Sequence, residues 1–172
     1  MIKILNIHGY QGSAENSAYK ALKQCEVDIV SPSFDYDTQS PNQVMEMLRK
    51  ITETDAFDYI VGTSFGGFFA TVLAAETHIP VILINPCLLP FLSLPRLGYK
   101  GDIDEFIPLF GKIDALDRNT VQCIIGGKDE VLDTHDFTTA FVGGERVRVI
   151  PDGHHSGATL PLVSYFEDVL SK

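Results

Sequence analysis

The sequence predicts an α/β fold: a mostly parallel six-stranded sheet with helices on both faces. Three features point there. Six short apolar runs recur along the chain, amphipathic helical patterns separate them, and Gly- or Pro-bearing turns mark the joins. Strands and helices that alternate in this way pack as a parallel sheet, because each crossover helix carries the chain back to the same end of the sheet.

Ile2–Ile7 reads as the first strand. Within Ser13–Cys25, residues Ala18, Ala21, Leu22 and Cys25 fall at i, i+3, i+4 and i+7, which predicts a helix. Val27–Ser31 is a second, short strand. Ser40-Pro41-Asn42-Gln43 is a helix start, with a Ser cap, Pro at the first helical position and Gln at the third. Val44, Met47, Leu48 and Ile51 then share one apolar face. Phe57–Thr63 is the third strand. Phe65–Glu76 is a helix with apolar residues on more than one side, so it is expected to be deeply buried. Pro80–Asn85 is the fourth strand; its middle, Val81-Ile82-Leu83-Ile84, is apolar on both faces and suits the centre of a sheet. Val121–Ile125 and Glu145–Ile150 complete the strands. Thr134–Phe141 and Pro161–Leu170 are the helices that follow them, the last with Leu162, Tyr165, Phe166 and Val169 on its buried stripe.

The connection from Pro86 to Asn119 breaks the alternation. It holds Pro86, Pro90, Pro95 and Pro108 and is rich in Leu and Phe. Connections of that length are functional or disordered, and this one is too apolar for disorder. It reads as a short cap-like insertion, at about 86–119, in a single domain spanning residues 1–172.

Composition narrows the function classes. The formal net charge of −10, from 23 acidic against 13 basic residues, disfavours nucleic acid and anionic membranes as partners. No apolar stretch reaches the length of a membrane span. Cys25, Cys87 and Cys123 are odd in number and lack CxxC spacing, which argues against a disulfide framework or a zinc ribbon. Met1-Ile2-Lys3-Ile4-Leu5 runs straight into a strand pattern without a secretory leader, so a cytoplasmic location is expected.

Gly62-Thr63-Ser64-Phe65-Gly66 fits G-x-S-x-G and lies between a predicted strand and a predicted helix, the context of a nucleophile elbow. The glycines let the chain turn sharply enough to lift the Ser64 hydroxyl out of the sheet; a Cβ at Gly62 or Gly66 would collide across the turn. The bland alternative is a Gly-rich β-to-α turn in which Ser64 only caps the helix. A Ser hydroxyl needs a base, and the base needs a carboxylate to fix its tautomer. The acid is expected after the fifth strand, in Gly126-Gly127-Lys128-Asp129-Glu130-Val131. Asp129 stands just beyond the strand end; Glu130 is expected to face water and Asp133 to cap the next helix. The base is expected after the sixth strand, where Gly153-His154-His155 offers two candidates. Adjacent histidines rarely ligate one ion and no HExxH pattern occurs, so no metal is expected.

The first strand ends in His8-Gly9-Tyr10-Gln11-Gly12. Gly9 permits close backbone approach. The backbone N–H groups of Tyr10 and Phe65 are the candidate oxyanion donors. His8 comes too early in the chain to be the base and reads as structural.

These segments together resemble the small bacterial α/β-hydrolases of the YqiA/YcfP esterase type. The likeness rests on His8-Gly9-Tyr10, Gly62-Thr63-Ser64-Phe65-Gly66-Gly67, Asn85-Pro86, Asp129-Glu130-Val131-Leu132-Asp133 and Gly153-His154-His155, and spans nearly the whole chain. It implies a three-layer α/β-hydrolase fold with Ser64 as nucleophile, Asp129 as acid and His155 as base. The Gly-x-His of that family aligns with His155, which leaves His154 at a variable position. It also implies esterase activity on short acyl chains; the mechanism expected from these residues extends to thioesters and requires no cofactor. Leu88, Leu89, Phe91, Leu92, Phe106 and Phe110 are candidates for the acyl pocket, or simply cover the sheet. Two other readings keep the fold: a non-catalytic ligand-binding or interaction protein, and an acyltransferase or C–C hydrolase.

Overall fold

A computed structural model of the chain describes residues 1–132 and 134–171. Six strands form one sheet: β1 (Ile2–Ile7), β2 (Val27–Val30), β3 (Tyr59–Thr63), β4 (Val81–Ile84), β5 (Val121–Gly126) and β6 (Val147–Ile150). Their order is β2-β1-β3-β4-β5-β6, and every neighbouring pair is parallel.

The helices are α1 (Ser17–Leu22), α2 (Pro41–Thr54), α3 (Phe65–Thr77), α4 (Pro90–Ser93), α5 (Phe106–Phe110), α6 (Asp136–Val142) and α7 (Leu162–Leu170). Two cores sandwich the sheet. Ile4, Val61, Ile82, Ile84 and Ile124 point to the side covered by α1 and α7. Leu5, Ile7, Ile60, Val81, Leu83, Cys123 and Ile125 point to the side covered by α2, α3 and α6. The alternation along each strand is the two-residue period of the pleat, with both faces buried as in a three-layer fold.

Local chemistry sets the element boundaries. The α2 start is a full capping box: the Ser40 hydroxyl accepts from Gln43 N–H, and the Gln43 side chain accepts from Ser40 N–H. The first helix is shorter than its periodicity predicts. The Asn16 side chain accepts from Tyr19 N–H and caps α1 there, leaving residues 13–16 in the loop. The sixth strand also starts late, because Gly144–Arg146 form a 3-10 turn before it.

Between β4 and β5 the chain adds α4, α5 and 3-10 turns at Pro95–Leu97, Ile103–Glu105, Ile113–Ala115 and Arg118–Thr120. This segment drops Phe106, Leu109, Ile113 and Leu116 into the α3 core. Among the described residues no helix is long and apolar enough to cross a membrane.

Glu76, near the end of α3, ties that segment down. It accepts two hydrogen bonds from Arg49 on α2, at 2.7 and 2.8 Å, and one from Lys112 at 2.8 Å. The Arg49 hydrogen bond outweighs partial burial and, with Lys112, lowers the Glu76 pKa from 4.5 to about 2. A depressed carboxyl stabilises the fold above its unfolded pKa and loses that contribution as pH falls through the folded value. The expected result is a wild-type Tm above that of Glu76→Gln at pH 6, with the gap closing between pH 4.5 and 2. Thermal melts by circular dichroism across that range check it.

Sheet order also locates a crevice. From β1 the chain runs outward to β2, then crosses back to place β3 on the other side of β1. At such a switch point the loops leaving the strand C-termini diverge, and ligands of open parallel sheets bind there. The loops after β1 and β3 both leave at this point.

Candidate active site

Ser64 sits between β3 and α3 with φ 52° and ψ −121°, a backbone region that side chains rarely adopt. Three bonds hold it there. Its N–H donates to Ile84 O at 3.0 Å, and its carbonyl accepts from Gly67 N–H at 2.9 Å and Cys87 N–H at 2.8 Å. Close packing enforces the turn: a Cβ on Gly66 would overlap the carbonyl oxygens of Ile7 and His8. The loop after β1 meets the same point. A Cβ on Gly9 would lie 3.0 Å from Ser64 Cβ and 3.6 Å from Ser64 Oγ, so a side chain at position 9 would crowd the hydroxyl.

Phe65 is wholly buried. Its ring meets Tyr36 at 4.7 Å and Phe106 at 5.6 Å between centroids, which anchors the first turn of α3. Its N–H belongs to that first turn, where no intrahelical acceptor exists. Tyr10 packs edge-on to Phe65, and its phenol donates to Asp37 at 2.7 Å. That bond to a carboxylate pushes the phenol pKa up to about 12 and keeps it protonated. His8 is enclosed. Phe34 N–H donates to its Nε2 at 2.9 Å, so Nδ1 carries the proton and donates to Gly9 O at 2.8 Å. Burial lowers its pKa against a smaller opposing effect of the Gly9 carbonyl. With both ring nitrogens engaged, His8 shapes the loop and has no nitrogen free to act as a base.

Asp129 follows β5 and is enclosed, its side chain fully shielded. Oδ1 accepts from Val131 N–H and Leu132 N–H, each at 2.9 Å. Oδ2 faces His155 Nδ1 at 2.9 Å and His135 Nε2 at 2.7 Å. Burial alone would raise the carboxyl pKa, but hydrogen bonds from His135, His155 and Leu132 N–H outweigh it and hold Asp129 far below the usual carboxylate range. An ionised carboxylate only accepts, so both imidazoles donate to it. His155 then carries its proton on Nδ1, and Nε2 is left with the lone pair of a base.

Glu130 and His154 brace the loop from outside. Glu130 is solvent-exposed, as expected, yet its Oε2 lies 3.2 Å from both His154 Nδ1 and His155 N. Asp133 lies outside the described residues; the residue at the N-cap of α6 is His135, in left-handed conformation.

His135 and Asn85 are the two site residues that sequence reasoning missed. His135 falls inside the predicted helix Thr134–Phe141, and a helix period says nothing of its bond to Asp129. Asn85 was visible only as part of an Asn-Pro pair. Its side chain joins the ends of β4 and β5 to the loop carrying His155.

A cleft of about 220 Å³ lies on the His135 side of the site, lined by Cys87, Leu88, Leu89, Leu92, His135 and Phe137 among others; Ser64, Asp129 and His155 do not line it. Leu88 and Leu89 thus line a cavity. Phe91 and Phe106 do not line this cleft. Phe106 is wholly buried against Phe65, Phe68 and Tyr99, and Phe91 packs edge-on to Phe110. The reason for Phe106 is the apolar breadth of α3: its outer face needs cover, and this ring supplies it. Among the described residues no group of three His, Cys, Asp or Glu side chains could hold a metal ion.

The parallel sheet, its switch point and the strained turn after β3 define the α/β-hydrolase fold, and solved structures agree. The chain superposes on Est1E from Butyrivibrio proteoclasticus with a TM-score of 0.66 at 18% identity, covering 99% of this chain and 89% of that one. An extracellular α/β-hydrolase from a Paenibacillus species gives 0.67 at 12% identity, with 99% and 98% covered. A structure from the work on LipS and LipT, two metagenome-derived lipolytic enzymes, gives 0.71 at 14%, with 99% and 94% covered. The chain itself belongs to the Uncharacterised protein family (UPF0227), whose family model matches residues 3–105. That match takes in Ser64 and Asn85 and stops before Asp129.

Proposed function

We propose that the protein is a serine hydrolase that cleaves small carboxylic esters or thioesters through an acyl-enzyme. The observation that carries this reading is the Asp129–His155 pair at 2.9 Å, on the same sheet edge as a serine held in a nucleophile-elbow conformation. The esterase and lipolytic relatives in fold support it. Ser64 Oγ attacks the ester carbonyl carbon while its proton passes to His155 Nε2. The oxyanion accepts hydrogen bonds from Tyr10 N–H and Phe65 N–H. The carbon–oxygen or carbon–sulfur bond then breaks, and His155 returns the proton to the leaving alcohol or thiol. Water attacks the acyl-enzyme, giving a proton to His155, and the acid leaves as Ser64 Oγ regains it.

In this reading residues 86–119 act as a short cap, and the small acyl group expected of the substrate sits against it. With a net charge of −10, a neutral substrate is favoured over an anionic one. The three cysteines are free thiols, which suits a cytoplasmic setting. The test is a fluorophosphonate probe followed by peptide mass spectrometry, alongside a panel of p-nitrophenyl esters from acetate to decanoate. Labelling confined to Ser64, with turnover of the shorter esters, is the expected result. A folded protein that neither labels nor turns over any ester rules the reading out.

A further inference from the structure

Asn85 occupies an unusual place. It follows β4, is wholly buried, and holds φ at 41°, a left-handed value that Asn tolerates better than most side chains. Its amide is engaged at both donors and at the oxygen. Nδ2 donates to His154 O and His155 O, each at 2.9 Å, and Oδ1 accepts from Gly126 N–H at 2.7 Å. One side chain therefore joins the ends of β4 and β5 to a loop 70 residues away in sequence. Only a primary amide at this reach offers two donors and one acceptor to that set.

The joint bears on His155 from the backbone side. The His155 ring is fixed at Nδ1 by Asp129, and its own N–H donates to the exposed Glu130. Ring orientation depends on both ends of the residue. Asn85 sets the carbonyl end, in a buried position where a lost hydrogen bond is costly to replace. Ser64 is tied to the same strand end, because its N–H donates to Ile84 O and its carbonyl accepts from Cys87 N–H. The residue between those two anchors and the His loop is Asn85.

We infer that Asn85 is a positioning residue that fixes His155 relative to Ser64 by bolting the His154–His155 backbone to the end of β4. The inference rests on the proposed hydrolase function for its catalytic consequence, not for its geometry. Misplacement of a reacting group by about 1 Å costs roughly 100-fold in rate. Asn85→Gly keeps the left-handed backbone and removes the bolt. Asn85→Asp keeps an acceptor for Gly126 N–H but sets a carboxylate against two carbonyls.

The experiment measures both variants against wild type with p-nitrophenyl acetate and a fluorophosphonate probe. Expected are a fall in kcat of about 100-fold with KM within about threefold, and a parallel fall in probe-labelling rate. A general loss of structure would act whether or not His155 is present, so the same substitutions are made in His155→Ala. There they should lower the residual rate by less than about twofold. Amide hydrogen exchange gives a readout independent of turnover: Gly126 N–H loses protection in Asn85→Gly and keeps it in Asn85→Asp. Wild-type labelling rates in both variants, or an equal loss in the His155→Ala background, overturn the inference. A wild-type protein inert to probe and ester sinks the hydrolase reading instead, and the exchange result then stands alone.

Discussion

Ser64→Ala is expected to lower kcat by at least about 10⁴-fold while the protein stays folded. The size follows from the role. On the proposed mechanism no acyl-enzyme forms without Oγ, and what remains is whatever the oxyanion donors and substrate binding supply to direct attack by water. The fold should tolerate the change, since the bonds that hold residue 64 come from its backbone, to Ile84, Gly67 and Cys87, and alanine keeps all three. Stability offers a second, sharper comparison. At φ 52° and ψ −121° any Cβ is strained, by about 1–3 kcal/mol. Alanine retains that strain and glycine relieves it, against a cost of about 0.4–1 kcal/mol for added freedom in the unfolded chain. Ser64→Gly should therefore be inactive and more stable than Ser64→Ala in urea unfolding. Equal activity of Ser64→Ala and wild type in purified protein would remove Ser64 from the chemistry.

The fold was legible because its signals are local. The double-sided apolar run at Val81–Ile84, the Ser40 capping box and the Gly-Thr-Ser-Phe-Gly turn each declare themselves within a few residues, and each is found where the periodicity puts it. The errors in boundaries are also local. Asn16 caps α1 with a side-chain bond that periodicity cannot register. The candidate site was legible only where chain order carries information. Ser64, Asp129 and the His pair could be assigned to strand ends, because parallel sheets bring those ends together. His135 and Asn85 could not. Asn85 acts through hydrogen bonds to residues 41 to 70 positions away, and His135 through one to Asp129 six residues back; the strand and helix periods that cover the two positions do not announce either bond. The aromatic residues of the β4–β5 connection were open between pocket lining and cover: Phe106 is as apolar as a pocket wall, and only packing shows that it covers α3.

Asp129→Asn should be nearly as damaging as the loss of the nucleophile, by about 10⁴-fold in kcat, through protonation geometry and not through shape. The carboxylate accepts four hydrogen bonds, two at each oxygen. An amide keeps one accepting oxygen and presents two donors at the other position. Val131 and Leu132 N–H are fixed backbone donors, so the amide oxygen must stay with them and the NH₂ group must face the two imidazoles. His155 Nδ1 then has to accept, which moves its proton to Nε2, the atom that should take the proton from Ser64. The same reversal meets His135. Removing His135 alone has a different consequence. In His135→Phe the carboxylate keeps His155 and both backbone donors, the tautomer of His155 is unchanged, and the loss should be no more than about tenfold. The pair of variants separates charge and tautomer from packing. A kcat for Asp129→Asn within tenfold of His135→Phe would mean that the carboxylate does not set the His155 proton, and that the imidazole draws its basicity from elsewhere.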